Sequence, residues 1–214
     1  MPAGNPSSSN PFPSDPSDTR TAIMKATFDA LVEYGYAGLT IDRIDEFFPK
    51  SKSLLYHHYD GKDDLLLDFL ERLLDEHEAG VGCRDDADAL TRLNRILDGV
   101  TAASMDETDR GFVRALVELR AQAAHEAAYR EHFTTSGAFF RDRLATIVAD
   151  GIDEGVFRDV DPDQVAAMLY TLATGVMTER VTDNDPHVEA VRAELDAYVE
   201  VRLLADDRKS SGRR

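Results

Sequence analysis

From Thr19 onward, apolar residues recur three and four positions apart, the period of an amphipathic helix. No stretch alternates apolar and polar residues over strand length, and β-branched runs are absent, so the pattern predicts an all-α chain. The first helix is predicted over about 19–34, where Ile23, Ala26, Thr27, Ala30 and Leu31 form one stripe with Phe28 beside it, and Gly35 stops it. Thr40 is placed to cap a short helix, about 41–47, with Ile41, Ile44 and Phe47 or Phe48 facing inward and Pro49 ending it. Ser51 is placed to cap a third, about 52–57. Lys62 opens a long helix to about 79, with Leu66, Phe69, Leu70, Leu73 and Leu74 inward. Asp63 and Asp64 fall in its first turn, where the helix dipole favours negative charge. The run GVGCRDD breaks the pattern, and five further helices follow near 87–104, 108–124, 126–154, 162–181 and 186–206. Pro162 and Pro186 stand at first-turn positions of the last two, where a missing N–H costs nothing.

Outside this pattern lie two tails. Residues 1–17 are mostly Pro, Ser, Asn and Gly and predict a disordered arm, and the chain is expected to fray from 207 to 214. Hydrophobic residues make up 43% of the 214, too many for a disordered protein. No apolar run reaches the roughly 18 residues of a membrane helix, and no secretory signal is visible, so a cytoplasmic protein is expected. The single cysteine, Cys83, excludes an intrachain disulfide and a cysteine zinc cluster.

Charge changes the picture most. The chain holds 41 acids against 24 bases, a formal net charge of −17, and only 5 of the bases are lysines. Such surfaces suit molar salt, where the Debye length shrinks to about 3 Å and self-repulsion is screened. An ordinary acidic protein of dilute cytosol is the other reading. Either way, passive attraction to nucleic acid is excluded, and any DNA binding must come from a local patch. Residues 40–62, TIDRIDEFFPKSKSLLYHHYDGK, supply one. Two short helices joined by a tight turn have helix-turn-helix spacing. Between Phe47 and Tyr59 there is no acid, while Lys50, Lys52, His57 and His58 are present. Residues 1–62 hold 8 acids and 6 bases, whereas 63–214 hold 33 and 18. Lysines gathered in this way suit a phosphate backbone, although a merely solvated helix face would look similar. Leu55 and Tyr59 are the residues expected to anchor the third helix.

Residues 23–65 resemble the N-terminal DNA-binding domain of TetR-family transcriptional regulators. The shared features are the apolar first helix ending in Gly35-Tyr36, Thr40 before the second helix and Ile44 inside it. The run Ser51-Lys52-Ser53-x-Leu55-Tyr56-x-His58-Tyr59 and Lys62 before Leu65 complete the likeness. The resemblance implies a DNA-binding domain over 18–65 and an effector-binding and dimerisation domain over 66–206. It also implies specific roles. Thr40 would donate to a phosphate. Ser51, Lys52 and Ser53 would open the recognition helix in the major groove, with Lys52 on a guanine edge and Lys50 on a phosphate. Tyr56 would reach a phosphate, His57 a base or phosphate, His58 would orient the helix, and Lys62 would clamp a phosphate. One departure is Pro49, where the family usually has a turn glycine. Proline cannot take positive φ and pushes Phe48 towards extended backbone, so the turn takes a different shape or the recognition helix starts earlier.

The resemblance further implies a homodimer on operator DNA, a small-molecule effector and repression as the usual outcome. The effector would shift the long fourth helix so that the two recognition helices lose their match to half-sites about 34 Å apart. Val165, Met168, Leu169, Leu172 and Val176 form one stripe, with Gly175 allowing close approach, and Val188, Val191, Leu195 and Tyr198 or Val199 form another. Together they suit a four-helix dimer interface or, alternatively, packing within one chain. Phe112, Leu116, Tyr129, Phe133, Phe140 and Met168 are candidates for an apolar or aromatic effector pocket, although residues at such spacing are more often core. His125, Glu126 and His132 match no metal-ligand spacing, and no cofactor is expected. No nucleophile–base motif or phosphate loop supports an enzyme. A helical adaptor that presents the same motif to protein is the remaining alternative.

Overall fold

The computed structural model describes residues 10–13, 16, 18–81 and 87–205, the side chains of 76–81 excepted. These residues form α1 (Thr19–Gly38), α2 (Ile41–Asp45), α3 (Lys52–His58), α4 (Lys62–Val81), α5 (Ala89–Val100), α6 (Glu107–Gln122), α7 (Ala127–Asp153), α8 (Pro162–Thr182) and α9 (Val188–Tyr198), which runs into a π turn at Val199–Leu203. The β-type pairing among them is a single antiparallel bridge, Phe157 to Leu204. Cys83 and residues 207–214 lie outside the described residues.

Aspartate caps four of these helices. Asp18 accepts from the Thr21 amide at 2.9 Å, Asp88 from Thr91 at 2.8 Å, and Asp106 from Asp109 at 2.8 Å. Asp161 accepts from Gln164 at 3.1 Å, with Pro162 in the first turn as anticipated. A cap of this kind is worth about 1 kcal/mol, so part of the acidity is structural. Pro186 does not open a helix: α9 begins at Val188 with His187 before it. Gly35 takes φ 64° and breaks α1 where the sequence placed its stop.

The molecule divides into two units, residues 1–83 with 105–134, and 84–104 with 135–214. This boundary differs from the expected one near 65. α4 and α6 belong with α1–α3, because Leu66, Phe69, Leu70, Ala115 and Leu119 bury in the same core as Ile23, Phe28, Ile44 and Leu55. Gly111 permits the close crossing of α6 over α1, since a Cβ there would stand 2.8 Å from the Val32 carbonyl oxygen. The N-terminal arm also departs from expectation at residues 10–13. Phe12 is buried, its ring 5.9 Å from that of Phe69, and the Asn10 side-chain amide donates to Lys25 O and Asp29 Oδ1. It is the one aromatic side chain of residues 1–17, and burying it offsets the ordering of a short polar stretch.

The second unit has its own core, built from α5 (Leu93, Leu97), α7 (Leu144, Val148), α8 (Val165, Leu169) and the chain end (Leu195, Leu203). Buried Arg180 donates to the carbonyls of Val100 and Ala102 at 2.9 and 2.7 Å, closing the C-terminal end of α5.

Candidate nucleic-acid interface

α3 has two sides. Leu55 is fully buried and Tyr59, which follows the helix as its C-cap, is 7% exposed. Ser53, His57 and His58 are exposed, and Tyr56 is 57% exposed. The anchoring pair is therefore the one the pattern named. The turn from α2 into α3 is made without positive φ. Glu46 stays αR, and the Phe47 and Phe48 amides donate to Ile44 O and Asp45 O at 3.1 Å each. Pro49 is thus accommodated by a turn of two successive short hydrogen bonds. Phe48 buries beneath it, while Phe47, whose ring lies 6.2 Å from that of Tyr34, stays 38% exposed.

Thr40 caps α2, accepting from the Arg43 amide at 3.2 Å. Ser51 occupies the N-cap position of α3 but makes no cap bond; its hydroxyl meets that of Ser53 at 2.5 Å. The cations are tethered. Lys50 Nζ donates to Thr19 Oγ1 at 2.9 Å. Lys62 Nζ lies 4.0 Å from the Tyr36 ring centroid and 3.4 Å from the Tyr36 carbonyl oxygen. Lys52 pairs with Asp42 and stands 5.8 Å from the Tyr56 ring centroid. The Asp42 carboxylate holds the Lys52 ammonium above the usual lysine range. The stretch that is free of acids in sequence is not free of them in space, because the outward side of α2 brings Asp42 to the start of α3.

Beneath this surface is a network that sequence reasoning missed. Asp68 of α4 accepts from Arg20 Nε at 2.9 Å, from a second Arg20 nitrogen, and from the Tyr59 hydroxyl. One nearly buried carboxylate thereby joins the start of α1, the end of α3 and α4. A lone Asp among leucines on the inward side of α4 was the available signal.

A model of the TetR family of bacterial regulatory proteins matches residues 23–69, and the C-terminal model of BetI-type transcriptional repressors matches 89–204. The chain belongs to the TetR family of transcriptional regulators. A TetR transcription regulator from Haloarcula marismortui is 35% identical, with a TM-score of 0.76, over 87% of this chain and 99% of that one. A putative regulator from Saccharomonospora viridis, solved with choline, is 21% identical with a TM-score of 0.74, over 89% and 100%. The transcriptional repressor AcnR of Corynebacterium glutamicum is 21% identical over 180 residues, 78% of this chain and 89% of that one. This TetR-family chain is accordingly a DNA-binding regulator rather than an enzyme. No described helix is long and apolar enough to cross a membrane.

Of the two readings of the α8 and α9 stripes, the burial pattern bears on packing within one chain. Val165, Leu169, Val176, Leu195 and Val199 are buried within the second unit itself, and Leu172, Val188 and Val191 are partly covered. The strongest apolar periodicity of α8 and α9 marks the side turned to their own core. Their opposite sides expose Ala167, Met168, Thr171 and Gly175 on α8, then Ala190, Ala193, Ala197 and Val201 along α9 and the π turn, mostly small residues with Met168 the large exception. The pocket candidates fall in different units. Phe112, Leu116, Tyr129 and Phe133 join the first core, with Phe112 5.0 Å from Phe28, whereas Phe140 and Met168 belong to the second unit. Tyr129 is 2% exposed and its hydroxyl donates to Asp63 at 3.1 Å.

Proposed function

We propose that this TetR-family regulator is a cytoplasmic repressor that binds a palindromic operator as a homodimer and is released by a small-molecule effector. The observation that carries the reading is the division of α3. Leu55 and Tyr59 anchor one edge, while Ser53, Tyr56, His57 and His58 stand clear on the other beside Lys50 and Lys52. In a groove, Lys52, Ser51, Ser53 and His57 face base edges, and Thr40, Lys50, Tyr56 and Lys62 face phosphates. His58 orients the helix. The dimer forms through the small-residue sides of α8 and α9, which allow close helix approach. Charging them with Thr171→Glu and Ala193→Glu is expected to convert the dimer to monomer in gel filtration, with an unchanged helical circular dichroism spectrum and at least a tenfold loss of operator affinity. Persistence of the dimer would remove this face.

Two grounds make a quaternary ammonium compound the first effector class to screen. One is the match to the BetI-type C-terminal model, and the other is choline in the Saccharomonospora viridis structure. The acidity and the Haloarcula relative support adaptation to high salt. Counterion release weakens as salt rises, so binding under those conditions leans on base contacts and apolar complementarity such as exposed Phe47. Titrating the dimer onto DNA from upstream of its own gene, at several salt concentrations, tests both points. Specific binding with a shallow salt slope is expected. No binding refutes the operator reading, and a slope typical of about 6–10 phosphate contacts refutes the salt adaptation.

A further inference from the structure

Lys62 reaches the proposed phosphate from the first turn of α4, and that turn is held from two directions within the first unit. On one side, Tyr36 offers its ring and its carbonyl to the Lys62 ammonium. The Tyr36 amide in turn donates to the Glu118 carboxylate of α6, just after the Gly35 break. On the other side, Asp63, the very next residue, accepts from the buried Tyr129 hydroxyl of α7 at 3.1 Å.

We propose that Tyr129 is a positioning residue for DNA binding, which by holding Asp63 fixes the first turn of α4 so that Lys62 meets the backbone. This rests on the reading of Lys62 as a phosphate clamp. The physical case has two parts. A lysine on a four-carbon stem loses rotamer freedom when it is fixed on a phosphate, and a turn that is already ordered, with the ammonium already over Tyr36, reduces what remains to be lost. Asp63 is also a negative charge one residue from the clamp. Left to swing, it would compete with the phosphate for Lys62; engaged by buried Tyr129, it is kept from doing so. Burial, with the Asp63 charge beside it, raises the Tyr129 phenol far above its ordinary value, so it remains a donor at any working pH. The Tyr36 phenol is raised by the same two causes, burial and the Asp63 charge. Tyr129 touches no DNA in this account.

Tyr129→Phe removes the hydroxyl and keeps the ring in the core. In operator titrations on the upstream DNA fragment, it is expected to weaken binding about 3–10-fold and to lower the salt slope as Lys62→Ala does. On top of Lys62→Ala it should add almost nothing, while combining additively with Lys52→Ala. A purely structural tyrosine would lower the melting temperature and combine additively with both. Full additivity with Lys62→Ala, or an unchanged salt slope, overturns the proposal. Should Tyr129→Phe fold poorly, Tyr36→Phe, which keeps the ring under Lys62 and removes the other phenol beside the Asp63 charge, gives the same reading in the same cycle. If Lys62→Ala itself leaves affinity untouched, the clamp reading fails and the proposal falls with it. If Lys62→Ala weakens binding and the tyrosine variants do not, only the positioning role is lost.

Discussion

Operator affinity falls roughly 30-fold or more when Lys52→Ala and Tyr56→Phe are combined, and the melting temperature barely changes. A base-edge contact is worth about 1–3 kcal/mol. The proposed dimer would lose the proposed Lys52 contact twice, so about 2–6 kcal/mol is expected to go from Lys52 alone, and the Tyr56 hydroxyl adds to that. Neither side chain carries the fold: Tyr56 is 57% exposed, and the Lys52 side chain is 42% exposed. The pairing with Asp42 sharpens the result. Without Lys52, the Asp42 carboxylate faces the duplex uncompensated and adds repulsion to the lost contact. Asp42→Asn should therefore act in the opposite direction, tightening binding to non-operator DNA and steepening its salt dependence, because it frees Lys52 from a competitor. Filter binding of both variants to operator and to scrambled DNA checks this. A double variant that binds the operator as wild type does would show that another surface carries recognition.

The residues that make the motif legible are those whose roles are local. Thr40 caps the helix that begins beside it, Gly35 breaks α1 where it stands, and the spacing of Leu55 and Tyr59 on a short helix decides which side is buried. Each follows from a dihedral preference or a helical period within a few residues. What escaped the sequence depends on distance in space. Asp42 reaches Lys52 only because α2 and α3 pack, and Asp68 gathers partners 48 and 9 residues away. Phe12 finds its place on Phe69 across a gap that composition reads as disorder. The apolar stripes of α8 and α9 left two readings open for a different reason. Periodicity reports that a side of a helix is apolar, not whether its own chain or a second copy covers it. In α8 and α9 the large residues fill the unit's own core, so the side left over is small-residued and gives almost no periodic signal.

The Asp68 network makes the other large prediction. Asp68→Asn should lower stability by about 2–3 kcal/mol and weaken operator binding as well. The neutral amide has one acceptor oxygen where the carboxylate uses two: its oxygen can keep weaker, uncharged bonds to Arg20 Nε and the Tyr59 hydroxyl, but its NH2 then faces the second Arg20 nitrogen, donor against donor; leaving a polar group unsatisfied costs about 1–3 kcal/mol. The estimate stays below the full cost of breaking a buried pair because the Arg20 side chain is 49% exposed and regains water. Binding suffers because Tyr59 ends the recognition helix, so loosening its hydroxyl loosens the angle at which α3 is presented. The pH dependence identifies the carboxylate. Burial alone would raise the Asp68 pKa, but the Arg20 guanidinium and the Tyr59 hydroxyl outweigh it and hold the group below the usual value of 3.8. Its contribution is therefore complete above that value and disappears as the pH falls through the lowered one. Chemical denaturation of wild type and Asp68→Asn should give a constant difference from pH 5 to 8 that closes only in strong acid. At the alkaline end, burial and the Asp68 bond raise the Tyr59 phenol. The folded chain then keeps a proton that the unfolded chain gives up near pH 10, and stability falls as the pH rises past that point. A difference that tracks pH across the neutral range would assign the effect to another group and remove Asp68 from its place beneath the recognition helix.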